Sequence, residues 1–109
     1  MTKAILLDPE TSSIMPTEVG DFHDIQRKIG CRCFTCVRFP DGKHVAYVDD
    51  EGLLNGTEYG TMFIDEIYPD PLMGKVLIIG TNDAGDDVDC TIRGVDLQDM
   101  IEGIIRLKH

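Results

Sequence analysis

The order of apolar and polar residues near the start of the chain predicts two neighbouring strands. Lys3–Asp8 is an apolar run that ends at Pro9, which is typical of a strand followed by a turn. Ser13–Val19 is a second extended segment of suitable length to return beside the first. Pro16 interrupts that segment and has no N–H for a ladder hydrogen bond, so the second strand is expected at the edge of a sheet.

Further strands are predicted in the middle and later parts of the chain. Arg32–Phe39 alternates between polar and apolar positions, and Pro40–Gly42 predicts a turn that returns the chain along His44–Asp49. These segments predict a hairpin. Lys75–Gly80 is a continuous apolar run, which indicates a central strand buried on both faces. After a turn, Asp87–Ile92 is expected to pair with it.

The segment after the second strand has the spacing of a short amphipathic helix. Phe22, Ile25 and Ile29 recur at intervals that place them on one helix face. Asp21 precedes them as an N-cap residue, and Gly30 follows them as a residue that can end the helix. The sequence therefore predicts one helix between these caps.

Helical spacing also marks the end of the chain. The apolar positions there are Val95, Leu97, Met100, Ile101, Ile104, Ile105 and Leu107. Asp96 near the start of this segment, with Arg106 and Lys108 near its end, would complement a helix dipole. This pattern predicts a C-terminal amphipathic helix.

Two short segments leave alternatives open. Asp50–Gly56 places glycines around Leu53 and Leu54, which fits a compact turn or a single helical turn. Thr61–Tyr68 fits either a short helix or a strand. Taken together, the elements predict an α+β fold with a mainly antiparallel sheet, a short helix after the first strands and a C-terminal amphipathic helix. We expect one domain over residues 1–109.

The charge of the chain limits its partners. Twenty acidic residues stand against ten basic ones among 109 residues, a formal net charge of −10. Such a surface repels the phosphates of nucleic acids and anionic lipids and attracts cationic patches on other proteins. No basic stretch interleaved with aromatic residues occurs, so direct nucleic-acid binding is not expected. No apolar run has the length of a membrane helix, and Met1–Asp8 is too short for a signal peptide, so we expect the chain in the cytoplasm.

Acidic residues are the candidate binding residues. The first group is Asp49, Asp50 and Glu51, with the nearby amide of Asn55. The second group is Asp83, Asp86, Asp87 and Asp89. The second group has the oxygen ligands that Ca²⁺ prefers, but its spacing differs from the helix–loop–helix calcium pattern. A solvated turn explains it with fewer assumptions, so no metal and no cofactor are expected.

The four cysteines have the residue type of a zinc site but not its spacing. Cys31, Cys33, Cys36 and Cys90 could supply four thiolates, and a chain in the cytoplasm keeps them reduced. A strand at Arg32–Phe39, however, would direct Cys33 and Cys36 to opposite faces. We therefore interpret the cysteines as thiols at sheet positions.

A thiol enzyme is a weaker alternative. Cys36 lies between Arg32 and Arg38, which could lower a thiol pKa, and His44 lies across the predicted hairpin as a candidate base. His23 is the other internal histidine. A solvent-facing His44 is the favoured interpretation, and no phosphate-binding or nucleophile-elbow motif occurs, so no enzyme activity is expected.

Several short runs carry a resemblance to a known family. They are Lys3–Glu10, Ile29–Cys31, Tyr47–Leu54, Leu72–Gly74 and Val76–Gly80, and the most specific is the Asp-Glu-Gly-Leu-Leu run that follows the hairpin. Over residues 3 to 89 the chain resembles a small acidic family of unknown function found in bacteriophages, plasmids and Gram-positive bacteria. The resemblance implies a mobile-element setting in a bacterial host and assigns no catalytic residue.

Charge, size and this setting favour a non-enzymatic accessory protein that binds a basic patch of a host protein, with DNA mimicry and inhibition of a host defence enzyme as one version. One alternative is a nucleotide-sequestering protein that uses Gly52, Gly56 and Gly60, which requires Arg32, Arg38 and Arg93 to share a pocket. A purely structural role for the Gly52–Leu54 run is another alternative. An edge strand and an apolar final helix also fit a homodimer.

Overall fold

The computed structural model describes residues 1–51, 57–64 and 70–106. The strands are β1 (Thr2–Asp8), β2 (Ser13–Val19), β3 (Phe34–Arg38), β4 (His44–Asp49), β5 (Tyr59–Phe63), β6 (Leu72–Met73), β7 (Val76–Thr81), β8 (Asp87–Val88) and β9 (Ile101–Arg106). The helices are α1 (Phe22–Ile29) and α2 (Gly94–Met100). The larger sheet has the order β2-β1-β7-β4-β3 with β8 beside β7, and the smaller sheet has the order β6-β5-β9.

Both predicted hairpins form in the larger sheet. β1 and β2 pair antiparallel from Thr2 opposite Val19 to Asp8 opposite Ser13, and β2 lies at an edge as Pro16 requires. β3 and β4 pair antiparallel across the Pro40–Gly42 turn. The two predicted strand pairs therefore form at opposite edges of the larger sheet.

β7 is the central strand, as its unbroken apolar run predicts. It pairs antiparallel with β1 on one side and with β4 on the other. Val76, Leu77, Ile78 and Ile79 are each 0% exposed, because both faces of the sheet are covered.

One face of the larger sheet is covered by α1. Asp21 caps this helix with its side chain, and Gly30 ends it in the left-handed conformation with a φ of 78°, as predicted. Ile25 and Ile29 pack against Leu77 and other apolar residues of this face. We call it the α1 face.

The opposite face is covered by the smaller sheet and α2. Phe63 of β5 and Leu97 of α2 are both 0% exposed and pack on Ile78 and its neighbours. The described chain thus forms three layers, with the larger sheet in the middle.

The predicted C-terminal amphipathic helix is wrong. α2 ends at Met100, and Ile101–Arg106 is strand β9, which pairs antiparallel with β5. The apolar spacing fits either structure, but Gly103 weakens a helix and β-branched isoleucines favour a strand. β5 supplies the partner that decides between them. The fold is therefore mostly antiparallel β-sheet with two short helices.

The remaining predictions have mixed outcomes. The strand expected at Asp87–Ile92 is reduced to the two residues of β8. The open segment at Thr61–Tyr68 begins as strand β5, and its later residues lie outside the described ranges. The turn expected at Asp50–Gly56 lies outside them from residue 52 onward.

Candidate functional site

The structure separates the candidate acidic residues into two groups. Asp49, Asp50 and Glu51 lie where β4 ends, and Asp83 to Asp89 lie where β7 has ended. β4 and β7 are antiparallel, so these positions are at opposite ends of the sheet. The six residues of β7 span about 20 Å between them. The candidate acids therefore do not form one surface, and Asn55 lies outside the described residues.

The Asp83 end, which comprises Asp83, Asp86, Asp87 and Asp89, is organised by Asn82. The Asn82 side chain accepts hydrogen bonds from the N–H groups of Ala84 and Asp86, each at 3.0 Å. Two backbone hydrogen bonds, between Asn82 and Asp86 and between Gly85 and Asn82, complete the turn.

Two carboxylates of the Asp83 end accept hydrogen bonds from neighbouring strands. Asp87 accepts a hydrogen bond from the Tyr47 hydroxyl at 2.7 Å, and Asp89 accepts one from the Lys3 N–H at 2.9 Å. Burial and the Asp87 carboxylate raise the pKa of Tyr47. Asp87 and Asp89 therefore have structural roles in addition to their charge.

The opposite end carries a second acidic group, the Asp8 end, which comprises Asp8, Glu10, Asp49, Asp50 and Glu51. Asp8 and Asp49 end the two strands that flank the start of β7, so about 10 Å separates them. The Asp8 carboxylate accepts the N–H of Glu10 at 3.1 Å, and the Asp49 carboxylate accepts the N–H of Glu51 at 2.9 Å. Asp50 and Glu51 are exposed.

An apolar pocket opens beside the Asp8 end. It has a volume of about 220 Å³ and lies between the β1–β2 turn, β9 and α2. Leu7, Ile14, Ile101 and Ile104 supply its apolar lining. The polar lining comes from Asp8, Ser12, Ser13, Thr61 and Gln98. The pocket is smaller than sites for drug-sized ligands, which begin at about 300 Å³, and it suits a group of side-chain size.

A polar cleft adjoins this pocket and shares Asp8 and Pro9 with it. The cleft has a volume of about 470 Å³, and its charged lining is Asp8, Glu10, Glu58 and Lys75. Glu58 is held by Arg106 at 3.4 Å, which leaves Asp8 and Glu10 as the carboxylates that form no ion pair with another described residue. The pocket and cleft together form an apolar cavity with an acidic rim.

His44 is buried, and the prediction that it faces solvent is wrong. Its side chain Nε2 accepts the N–H of Thr91 at 3.1 Å, so Nδ1 carries the proton and donates it to the Asp41 carboxylate at 2.7 Å. Although burial acts in the other direction, the N–H of Lys43 and the His44 ring hold the pKa of Asp41 below its usual value. Both ring nitrogens therefore serve the fold and do not meet a cysteine.

The cysteines occupy separate places. Cys31 packs in the core of the α1 face and Cys90 packs on the opposite face, while Cys33 and Cys36 are exposed. Burial, Asp49 and Cys33 raise the pKa of Cys31 to about 11, and burial also raises the pKa of Cys90. These two thiols are therefore poor nucleophiles at neutral pH.

No group of three or more metal-binding side chains converges within the described ranges. Among the same residues, no helix is long and apolar enough to cross a membrane. Arg93 contacts Asp96 at the start of α2 and lines a different cavity from Arg32. The shared arginine pocket that the nucleotide alternative required is therefore not formed by these three residues.

Sequence reasoning did not find the pocket. Its lining comes from β1, β5, α2 and β9, which are distant in the sequence. The sequence predicts Ser13 as the first residue of a strand, and it predicts a helix for Ile101 and Ile104. No local pattern could have shown that these side chains surround one cavity.

Comparison with known proteins gives a family but no activity. The chain is 42% identical over 79 residues to the uncharacterised protein y4iR of Sinorhizobium fredii, a match that covers 70% of this chain. The match covers 47% of y4iR, so the chain spans about half the length of that relative. No solved structure matches the chain significantly. Because the family model covers residues 1–102, the chain belongs to the family described as domain of unknown function DUF3846.

Proposed function

We propose that the chain is a non-enzymatic binding protein that docks a basic segment of a partner protein at the Asp8 end. One apolar side chain of that segment enters the pocket, and its basic residues meet the carboxylates of the rim. The observation that carries this proposal is the apolar pocket of about 220 Å³ that shares Asp8 with the acidic cleft.

The chemistry of the two cavities defines the ligand. An apolar side chain that leaves water for such a pocket gains about 1.5–3 kcal/mol. Asp8 and Glu10 attract lysine or arginine beside that side chain, and the net charge of −10 accelerates the approach of a basic partner. In protein–protein interfaces, a few buried anchor residues surrounded by a rim that excludes water commonly supply most of the binding free energy.

Local docking is favoured over DNA mimicry. Mimicry needs carboxylates spaced along one face like the phosphates of a duplex. Here the two acidic groups are separated by the length of β7. In the mobile-element setting that the resemblance implies, the partner is a host protein in the bacterial cytoplasm.

A labelled peptide tests the proposal directly. The probe is a fluorescein-labelled peptide with one phenylalanine flanked by arginines, and binding is measured by fluorescence anisotropy at low and high ionic strength. We expect binding that weakens with salt, and a loss of about tenfold or more when serine replaces the phenylalanine.

Matched variants locate the site. Asp8→Asn with Glu10→Gln should weaken binding by roughly 4-fold to 30-fold, at about 0.4–1 kcal/mol for each carboxylate, of which Glu10 is exposed and Asp8 is half-buried. Asp83→Asn with Asp86→Asn removes the same charge at the opposite end and should change affinity less than twofold. Equal losses in both double variants would show a diffuse charge effect and contradict the assigned site.

A further inference from the structure

One part of this acidic chain has the opposite charge. The segment from Asp21 to Phe39, which contains α1 and β3, carries four cations and two carboxylates. The cations are Arg27, Lys28, Arg32 and Arg38, and the carboxylates are Asp21 and Asp24. Its net charge is +2, which leaves −12 for the rest of the chain. We call the surface formed by these cations and Phe22 the cationic strip.

Both carboxylates of this segment accept backbone hydrogen bonds at the start of α1. Asp21 accepts the N–H of Asp24 at 3.1 Å, and Asp24 accepts the N–H of Gly20 at 2.8 Å. The Gly20 N–H, together with Lys28 and Arg27 and against the effect of burial, lowers the pKa of Asp24. Asp24 thus remains ionised to stabilise the fold, and it cannot neutralise four cations.

The cations differ in their ion pairs with the chain's own carboxylates and in their exposure to solvent. Arg27 donates to Asp24 at 2.7 Å but its side chain is 79% exposed, so other guanidinium N–H groups face solvent. Arg32 and Arg38 are exposed and form no ion pair with another described residue. The strip therefore presents arginine donors that the chain itself does not use.

Two contacts join α1 to the segment that leads into β3. The Gln26 amide donates to the carbonyl of Arg32, and the ring centroids of Phe22 and Phe34 lie 6.1 Å apart. Phe34 packs in the core of the α1 face, and Arg38 follows it by an even number of residues on β3. Strand alternation therefore directs Arg38 to that face as well.

An exposed aromatic ring lies at the start of α1, the helix that carries Arg27 and Lys28. Phe22 is 54% exposed, although a phenylalanine of this size normally contributes to a core. Its ring centroid lies 4.5 Å from that of His23, and Phe34 behind it contacts Tyr47 edge-on at 5.1 Å. The ring of Phe22 therefore presents an exposed flat face, and its position is fixed by contacts with His23 and Phe34.

An open cavity of about 680 Å³ lies beside His23, whose ring contacts that of Phe22. It is lined by His23, Gln26, Arg27, Gly30, Cys31 and Arg32. Guanidinium groups bind phosphates through paired N–H donors, and exposed aromatic rings stack on nucleobases. We propose that the cationic strip binds a nucleotide, with its phosphates on Arg27 and Arg32 and its base stacked on Phe22.

The charge of the remaining chain restricts this ligand to a compact one. A mononucleotide covers only the strip, whereas a long nucleic acid would pass the acidic ends of the sheet and be repelled. At physiological salt the screening length is about 8 Å, so the acidic ends do not cancel the strip for a small ligand. This site lies on the α1 face and is independent of the pocket at the Asp8 end.

Calorimetric titration of the full chain with ATP, adenosine and tripolyphosphate at low ionic strength tests the assignment. We expect ATP to bind about tenfold or more tightly than either part alone. Arg32→Gln should weaken ATP about tenfold. Phe22→Leu, which keeps an apolar contact with Phe34, should weaken ATP about fivefold or more and leave tripolyphosphate unchanged.

Arg93→Gln is the matched control, because it removes one arginine from the opposite face of the larger sheet and should leave ATP binding unchanged. Thermal unfolding of each variant checks that the fold is kept. The proposal is overturned if ATP gives no heat at millimolar concentration, or if Arg93→Gln weakens it as much as Arg32→Gln. Tighter binding of a long oligothymidylate than of ATP would equally overturn the compact-ligand assignment.

Discussion

Gly80 is the position in the central strand where the structure leaves no room for a side chain. A Cβ built there would lie 2.5 Å from the carbonyl oxygen of Asp89 and 2.9 Å from that of Val88. Both atoms belong to the backbone and cannot rotate away as a flexible side chain would. Gly80→Ala must therefore push the segment after β8 away from β7, against the hydrogen bonds that join that segment to Lys3.

The expected cost follows from two opposing effects. Overpacking a closely packed site costs about 1–3 kcal/mol. Replacing glycine by alanine in a strand returns about 0.5–1 kcal/mol. We therefore expect the free energy of unfolding to fall by about 1–2 kcal/mol, which lowers Tm by roughly 5 °C for each kcal/mol in a domain of this size.

Urea unfolding followed by circular dichroism measures this loss as a lower midpoint with an unchanged slope. Gly103→Ala is the control, because Gly103 also lies in a strand, has no positive φ, and a Cβ there meets no atom within 4 Å. It should leave stability unchanged or raise it by up to about 1 kcal/mol. A Gly80→Ala variant as stable as the unmodified chain would refute the close contact between β7 and the segment after β8.

Three further predictions follow from single groups. Tyr47→Phe removes the hydroxyl bonded to Asp87 and should cost about 1 kcal/mol in chemical denaturation, whereas no loss would show that water replaces the bond. Exposed Cys33 should react with a thiol reagent at pH 7 faster than Cys31, whose pKa is raised to about 11, as followed by mass spectrometry of the labelled peptides; equal rates would contradict this. The lowered pKa of Asp24 contributes stability above about pH 4 that is lost as pH falls through the lower folded value. Asp24→Asn should reduce the dependence of the unfolding free energy on pH below about pH 4. An unchanged pH dependence would exclude this carboxylate as its source.

For the candidate binding site, the sequence predicts the acidic charge but not the positions of its residues relative to one another. The acidic residues were identified as binding candidates, but their division between two ends depends on the antiparallel pairing of β4 with β7. A solvent-facing His44 is the interpretation that the sequence favours, and it is wrong. Its burial depends on Thr91, which is 47 residues away and supplies the N–H that its Nε2 accepts.

The sequence by itself determined the elements whose signal is local. The apolar run of β7, the edge position of β2 and both ends of α1 follow from side-chain periodicity, from the missing N–H of Pro16 and from the caps at Asp21 and Gly30. Each of these depends on interactions within a few residues.

Only the tertiary structure decided the C-terminal strand and the pocket beside Asp8. The isoleucines of β9 satisfy helical and extended spacing alike, and the unpaired edge of β5 selects the strand because its backbone groups need partners. The cationic strip comes from the single segment Asp21–Phe39, whereas the pocket beside Asp8 combines side chains from elements that are separate in sequence. Such combinations depend on packing between layers, which no local pattern of residues encodes.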